Sequence, residues 1–178
     1  GSVNKSNNTG ECDSDGDGLG SFSDCDDTDD TIVTDCSVVC DGDFTIGTDA
    51  EFESVKDCTM IDGSLQIGTY PADGSSTVTN LDDLSSLTAV SGAIDVWGNA
   101  SLASLDGLIN LISTGDDLYI GENDIITNLD GLSSLTTVDS LYVGKNAMLC
   151  QTIVDAYFAT VTVAPMTSED NDGSCDAP

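Results

Sequence analysis

Positive charge is almost missing from this chain. Lys5, Lys56 and Lys145 stand against 33 acidic residues, and neither arginine nor histidine occurs. A surface this negative repels phosphate backbones and anionic bilayers, which excludes nucleic-acid binding and electrostatic docking on membranes. No run approaches the roughly 20 apolar residues of a membrane helix, so no membrane insertion of this segment is expected. A zinc site also lacks its ligands. There is no His and no Cys-x-x-Cys pair, and Cys36-Ser-Val-Val-Cys40 has no second half to match it. Nucleophile-elbow and phosphate-loop patterns are missing as well.

What is present is aspartate, cysteine and a repeat. Aspartate greatly outnumbers glutamate, which points to turns and hard-cation ligands more than to general solubility. The hydrophobic content of 39% is arranged periodically, which argues against disorder. The seven cysteines, Cys12, Cys25, Cys36, Cys40, Cys58, Cys150 and Cys175, are many for a cytosolic protein of this size. Disulfides in an oxidising, extracellular or cell-surface compartment fit them better than a metal.

The repeat sets the fold class. Asn80-Leu81-Asp82-Asp83-Leu84-Ser85-Ser86-Leu87 recurs from Ser104 and from Asn128, placing Leu81, Leu105 and Leu129 24 residues apart. Between these blocks lies Ile94-Asp95-Val96-Trp97-Gly98-Asn99, with copies from Leu118 and from Leu141. The last copy arrives one residue early, a deletion after Val138. Leu65-Gln66-Ile67-Gly68 and Phe44-Thr45-Ile46-Gly47 read as earlier rungs, with an insertion around Pro71–Gly74. Leu-x-Ile alternation turns Leu118 and Ile120 inward and Tyr119 outward. The following Leu81/Leu84/Leu87 spacing fits a coil turning corners around a narrow core. The expected architecture is mainly β: a short right-handed β-solenoid with 24-residue rungs, small helical caps and an N-terminal calcium loop. Asn99, Asn123 and Asn146 fall at one corner of successive rungs, where a stacked amide can satisfy backbone groups. Asp82, Asp106 and Asp130 form a second ladder, read as turn chemistry in which each Asp caps its own backbone.

Open solenoids need caps. Thr48-Asp49-Ala50-Glu51 reads as a capping box that opens a short helix burying Phe52 and Val55. At the far end Ile153, Val154, Tyr157 and Phe158 fall at helical spacing. Cys40 with Cys58, and Cys150 with Cys175, bracket these caps and are the candidate disulfides, although sequence does not fix pairing. Three parts result: 1–10, where Gly1-Ser2 reads as a tag remnant ahead of a polar linker; 11–35, Asp-rich; and 36–176, the solenoid.

Within the Asp-rich part, Asp13, Asp15 and Asp17 alternate, Gly18 permits a sharp reversal, Leu19 offers a carbonyl, and Asp24 takes the place of the usual Glu. Asp27 is a further candidate ligand. Calcium wants six to eight hard oxygens, and alternate carboxylates on a tight turn supply several together. The expected cofactor is Ca²⁺.

Two resemblances follow from these residues. The runs Leu-Asp-Gly-Leu-x-x-Leu and Leu-Tyr-Ile-Gly-x-Asn, with the closing Leu149-Cys150, resemble the receptor L domain, the ligand-binding β-helix of insulin- and EGF-receptor ectodomains. The short rungs are closest in style to bacterial cell-surface versions, and the likeness spans about Cys36 to Cys175. It implies a ligand-binding module; no receptor contact residue carries over, because the long receptor insertions are missing. Asp13-Ser-Asp-Gly-Asp-Gly-Leu19 running into Asp24-Cys-Asp-Asp27 is similar to thrombospondin-type calcium repeats.

For function, an adhesion or receptor-like module that recognises a glycan or a protein is expected, and not an enzyme. The alternatives are a passive spacer in a surface fibre and, further off, a polysaccharide-active enzyme using the Asp ladder. A ladder of equivalent Asp along one corner lacks the cleft and unequal pKa values that glycoside hydrolysis needs. The outward row Thr45, Gln66, Asp95, Tyr119, Tyr142 is not a threonine array of the ice-binding kind. The candidate ligand-binding residues are Asp95, Trp97, Tyr119 and Tyr142. Trp97 stands where neighbouring rungs carry Gly68, Gly121 and Gly144, so its indole is expected over a bare patch of an exposed face. Asn99-Ala100-Ser101 matches a glycosylation sequon.

Overall fold

The computed structural model describes residues 38–161 and 165–171. The calcium-ligand candidates from Asp13 to Asp27 lie outside those residues, and so does Cys175.

The described chain is mainly β, built from two parallel sheets with few helical turns. Leu-x-Ile alternation forms the larger sheet. Its strands are β2 (Phe44–Ile46), β4 (Leu65–Gly68), β6 (Ile94–Trp97), β8 (Leu118–Gly121), β9 (Leu141–Gly144) and β10 (Met166–Glu169). They lie side by side in that order. Leu65, Ile94, Leu118 and Leu141 share one register and are buried, while Gln66, Asp95, Tyr119 and Tyr142 line up on the outer face. Ser113 bridges to Thr137, 24 residues on, whereas Leu118 pairs with Leu141, 23 on. The missing residue therefore falls between those pairs, where the repeat puts it.

A second sheet closes the other side of each turn: β1 (Val39–Asp41), β3 (Met60–Asp62), β5 (Ala89–Val90) and β7 (Ser113–Thr114). The leucine-spaced corners between the sheets are single 3-10 turns, Asp82–Leu84, Asp106–Leu108 and Asp130–Leu132, with their leucines buried. Here the capping expectation is corrected. The aspartates open the turns but do not cap them; Asn80 and Asn128 Oδ1 accept the Asp82 and Asp130 N–H groups at 3.1 and 3.0 Å. A side chain two residues earlier reaches that N–H without strain, whereas an Asp at the first helical position points away from its own amide. Gly107 and Gly131 let these corners stack: a Cβ on either would lie 1.7 Å from Leu81 O or 2.0 Å from Leu105 O.

Asparagines hold the opposite corner. Nδ2 of Asn99, Asn123, Asn146 and Asn171 donates to the carbonyls of Ile67, Val96, Ile120 and Val143 at 2.8–3.1 Å. Each Oδ1 from Asn123 onward accepts the backbone N–H of the preceding asparagine at 3.1–3.3 Å. At the open end Ser76 donates to Asn99 Oδ1 at 2.6 Å. All four side chains are buried, so Asn99 is held inside the folded domain and the sequon has no accessible amide. The residue before each asparagine takes left-handed backbone: Gly98 (φ 72°), Glu122 (52°), Lys145 (58°) and Asp170 (52°). Three of these are not glycine, and the ladder that fixes the next residue holds them there against an intrinsic cost of about 1–2 kcal/mol each.

The front cap is a 3-10 helix, Asp49–Ser54, entered through Glu51 Oε2, which accepts the Gly47 and Thr48 N–H groups at 2.7 and 2.9 Å. It buries Phe52 and, just beyond it, Val55, as the capping pattern predicts. A disulfide joins Cys40 to Cys58, with Cα atoms 5.8 Å apart. At the back, α1 (Gln151–Phe158) buries Val154 and covers the last turns. Cys150 is disulfide-bonded.

Candidate functional site

The outer face of the larger sheet carries the aromatic side chains. Trp97 follows Asp95 by two residues, so both leave the same face of β6. In register beside Trp97 are Gly121 and Gly144, and the indole lies across the bare backbone of Gly121, where any Cβ would meet ring atoms at 2.2 Å. Tyr142 stacks on the indole (centroids 5.8 Å, planes at 24°), and Tyr119 tilts against Tyr142 at 6.1 Å. The sequence-predicted group of Asp95, Trp97, Tyr119 and Tyr142 is therefore brought together.

The expectation that Trp97 stands exposed is corrected. It is only 7% exposed, because Tyr70, just ahead of the insertion around Pro71–Gly74, meets it edge-on at 5.2 Å while Tyr142 covers its face. The group lines a recess of about 550 Å³ completed by Tyr70, Pro71, Glu122, Lys145 and Glu169. Of these five only Pro71 was legible, as part of the Pro71–Ser76 insertion that the sequence offers as an alternative binding site. Tyr70 sits just ahead of the insertion, while Glu122, Lys145 and Glu169 occupy strand ends and corners whose residue type changes from rung to rung. Lys145 Nζ lies 5.9 Å from the Trp97 ring centroid.

Two polar atoms in the recess are enclosed without a hydrogen-bond partner, Asp95 Oδ1 and Trp97 Nε1. Burial raises the Asp95 carboxyl above the ordinary carboxylate range. The tyrosine hydroxyls are engaged: Tyr119 donates to Asp117 Oδ2 at 2.6 Å, and Tyr142 donates to Glu169 Oε1 at 2.8 Å. The hydrogen bond to Asp117, with burial and nearby carboxylates, raises Tyr119. Burial, then the Glu169 bond and surrounding carboxylates, raises Tyr142 well beyond the ordinary phenol range.

Asp95→Asn is expected to stabilise the fold slightly at neutral pH, by well under about 1 kcal/mol once solvent screening of this partly open group is allowed for, since a carboxylate is retained there at a cost. The sign follows from linkage. A folded-state pKa raised by burial penalises the charged form, so the cost is full above that pKa and fades as pH falls through it. Thermal melts at pH 7 should separate the two proteins, and melts near pH 4 should bring them together.

Elsewhere, Asp116, Asp117 and Asp139 bring carboxylate oxygens within 4.8 Å of one another. Asp117 is already held there by Tyr119 and Ser140. Asp82, Asp106 and Asp130 are exposed at the starts of their 3-10 turns.

A mainly β domain of stacked leucine-rich turns, with a ligand-sized recess on its outer face, belongs among leucine-rich binding domains. The family can be stated. The profile of the receptor L domain matches residues 57–157, more than half of the chain, and the chain belongs to that family. A search of curated proteins returned no match. Membership points to a ligand-binding module, and together with the Cys40–Cys58 bond it is consistent with an extracellular or secreted location. Among the described residues no helix is long and apolar enough to cross a membrane.

Proposed function

We propose that this domain is a non-catalytic binding or adhesion module of a secreted or cell-surface protein, and that the Trp97 recess is where its glycan or protein ligand docks. The observation that carries the reading is the recess itself. Four of the five Trp and Tyr residues of the chain converge there, around an enclosed Asp95 oxygen and a Trp97 N–H that no described residue satisfies. Aromatic rings with polar tips are common anchors at binding surfaces, and buried polar atoms without partners cost stability unless something completes them. We read the stacked turns as a short right-handed β-solenoid, the hand that parallel crossovers almost always take.

Trp97→Ala/Tyr119→Ala/Tyr142→Ala should abolish binding on a glycan array and in a cell-binding assay. Loss of signal with the disulfide and far-UV spectrum intact supports the recess; unchanged binding moves the site elsewhere. A domain that binds nothing in either assay favours the passive spacer.

The Asp-rich segment is proposed to hold Ca²⁺ through Asp13, Asp15, Asp17, the Leu19 carbonyl, Asp24 and Asp27. Crowded carboxylates repel until a divalent ion neutralises them, so Ca²⁺ should raise the melting temperature by mass action. Calorimetry on wild type should show a heat of binding that Asp15→Ala/Asp17→Ala removes; no heat in the wild type ends this proposal.

A further inference from the structure

The recess has a sign. Asp95 lies at its floor and Glu122 and Glu169 in its walls, against the single cation Lys145, in a chain of net charge -30. Both tyrosine hydroxyls are raised in part by surrounding carboxylates, which reports the same negative field. Anionic ligands meet repulsion here. A neutral ligand gains nothing from the field.

Lys145 shows what the recess attracts. Its ammonium stands 5.9 Å from the Trp97 ring centroid, inside the range of a cation–π contact. Among the described residues no carboxylate pairs with it within 4 Å, although the recess contains three; the ion pair found among those residues is Lys56 with Glu53. The side chain is otherwise exposed. Its backbone is left-handed (φ 58°), a conformation that the Asn146 ladder imposes and that directs this corner position toward the recess rim. A loosely held cation over a tryptophan face, beside an enclosed carboxylate oxygen still lacking a donor, has the form of an intramolecular stand-in.

Resting on the reading of the recess as the binding site, we propose that its ligand presents an organic cation, an alkylammonium or guanidinium group, and that Lys145 is the tethered competitor this group displaces. The ring faces of Trp97 and Tyr142 supply cation–π attraction, and Asp95 Oδ2, the carboxylate oxygen that is not enclosed, takes the N–H donors. A volume of about 550 Å³ accommodates one basic side chain or a small quaternary amine with its neighbours. Such a ligand is either a free amine or a lysine or arginine on a peptide.

Trp97 is the sole tryptophan, so its fluorescence reports occupancy directly. The full chain is titrated at constant ionic strength with tetramethylammonium, with capped Gly-Lys-Gly and Gly-Arg-Gly peptides, with neutral 3,3-dimethyl-1-butanol, and with chitotetraose. A saturable response to the cations that the neutral isostere does not give is expected, and the stronger arm tells free amine from peptide side chain. Lys145→Met should tighten cation binding about three- to fivefold by removing the competitor. Asp95→Asn should weaken it about tenfold or more. Both variants should melt no lower than wild type. Weaker or unchanged cation binding in Lys145→Met overturns the proposal. A response to chitotetraose alone removes the cation and leaves the recess as the binding site. Silence toward every probe removes both.

Discussion

Asn123→Ala is expected to lower stability by about 3–5 kcal/mol. The amide does three jobs at once. Nδ2 donates to Val96 O at 2.9 Å, and Oδ1 accepts from the Asn99 backbone at 3.3 Å and the Asn99 amide at 3.0 Å. Alanine takes this partner from the Val96 carbonyl and the Asn99 backbone N–H in a fully buried corner, each at about 1–3 kcal/mol, while Asn99 Nδ2 keeps the Ile67 and Trp97 carbonyls. With a domain of this size, the melting temperature should fall by roughly 10 °C. Asn128→Ala is the control, because its side chain makes one cap at the edge of solvent and should cost about 1 kcal/mol. Urea melts that place the two variants together would show that the ladder contributes no more than an ordinary cap.

Gly107→Ala should be nearly as damaging, by about 3 kcal/mol or more. Its Cβ would sit 1.7 Å from Leu81 O and 2.2 Å from Leu81 C, so one 3-10 corner must lift away from the next. Backbone, unlike the end of a flexible side chain, cannot yield by a rotamer change. Asp83 holds the equivalent place in the first such turn, whose preceding neighbour is the front cap helix and not another 3-10 corner, and it is exposed. Asp83→Ala should therefore stay within about 0.5 kcal/mol. Equal stabilities for the two variants would mean that the corners do not pack as closely as described.

These two contrasts also show why part of the fold is legible in the sequence. Leu-Asp-Gly-Leu in a corner laid on a preceding 3-10 corner, and Leu-Asp-Asp-Leu in the first, which follows the front cap helix, is a steric rule written into the repeat. Leu-x-Ile and the trailing Asn give the larger sheet and its register for the same reason: burial and amide satisfaction recur at every rung. The smaller sheet was not legible. Ala89-Val90 and Ser113-Thr114 are two-residue strands, too short to show alternation. The rung at β10 was missed because its chemistry changes while its spacing does not. Met166-Thr-Ser-Glu-Asp-Asn171 keeps the interval of Leu141-Tyr-Val-Gly-Lys-Asn146, but Ser168 takes the inward place of valine and is reached by Gln151 from α1 at 2.9 Å. The final asparagine was the available signal.

The candidate site divides along the same line. Asp95, Tyr119 and Tyr142 were legible because strand register is periodic, and Trp97 because it breaks a column of glycines. The burial of Trp97 was not, since it depends on Tyr70 arriving from just ahead of an insertion with no counterpart in other rungs. Glu122, Lys145 and Glu169 converge only through the stacking of successive turns.

The left-handed corner has a consequence for how this surface changes over generations. Gly98, Glu122, Lys145 and Asp170 share one backbone conformation because their asparagine neighbours dictate it; from Glu122 onward the side chain there is free to differ, whereas a Cβ at Gly98 would press on Thr69 O and Ala72. Glycine, acid and base already occupy equivalent places without altering the stacking. Folding instructions and recognition instructions are thus written on adjacent residues and can be edited separately. A lineage, or an experimenter, could respecify the rim of the recess one corner at a time while the scaffold beneath it stays the same.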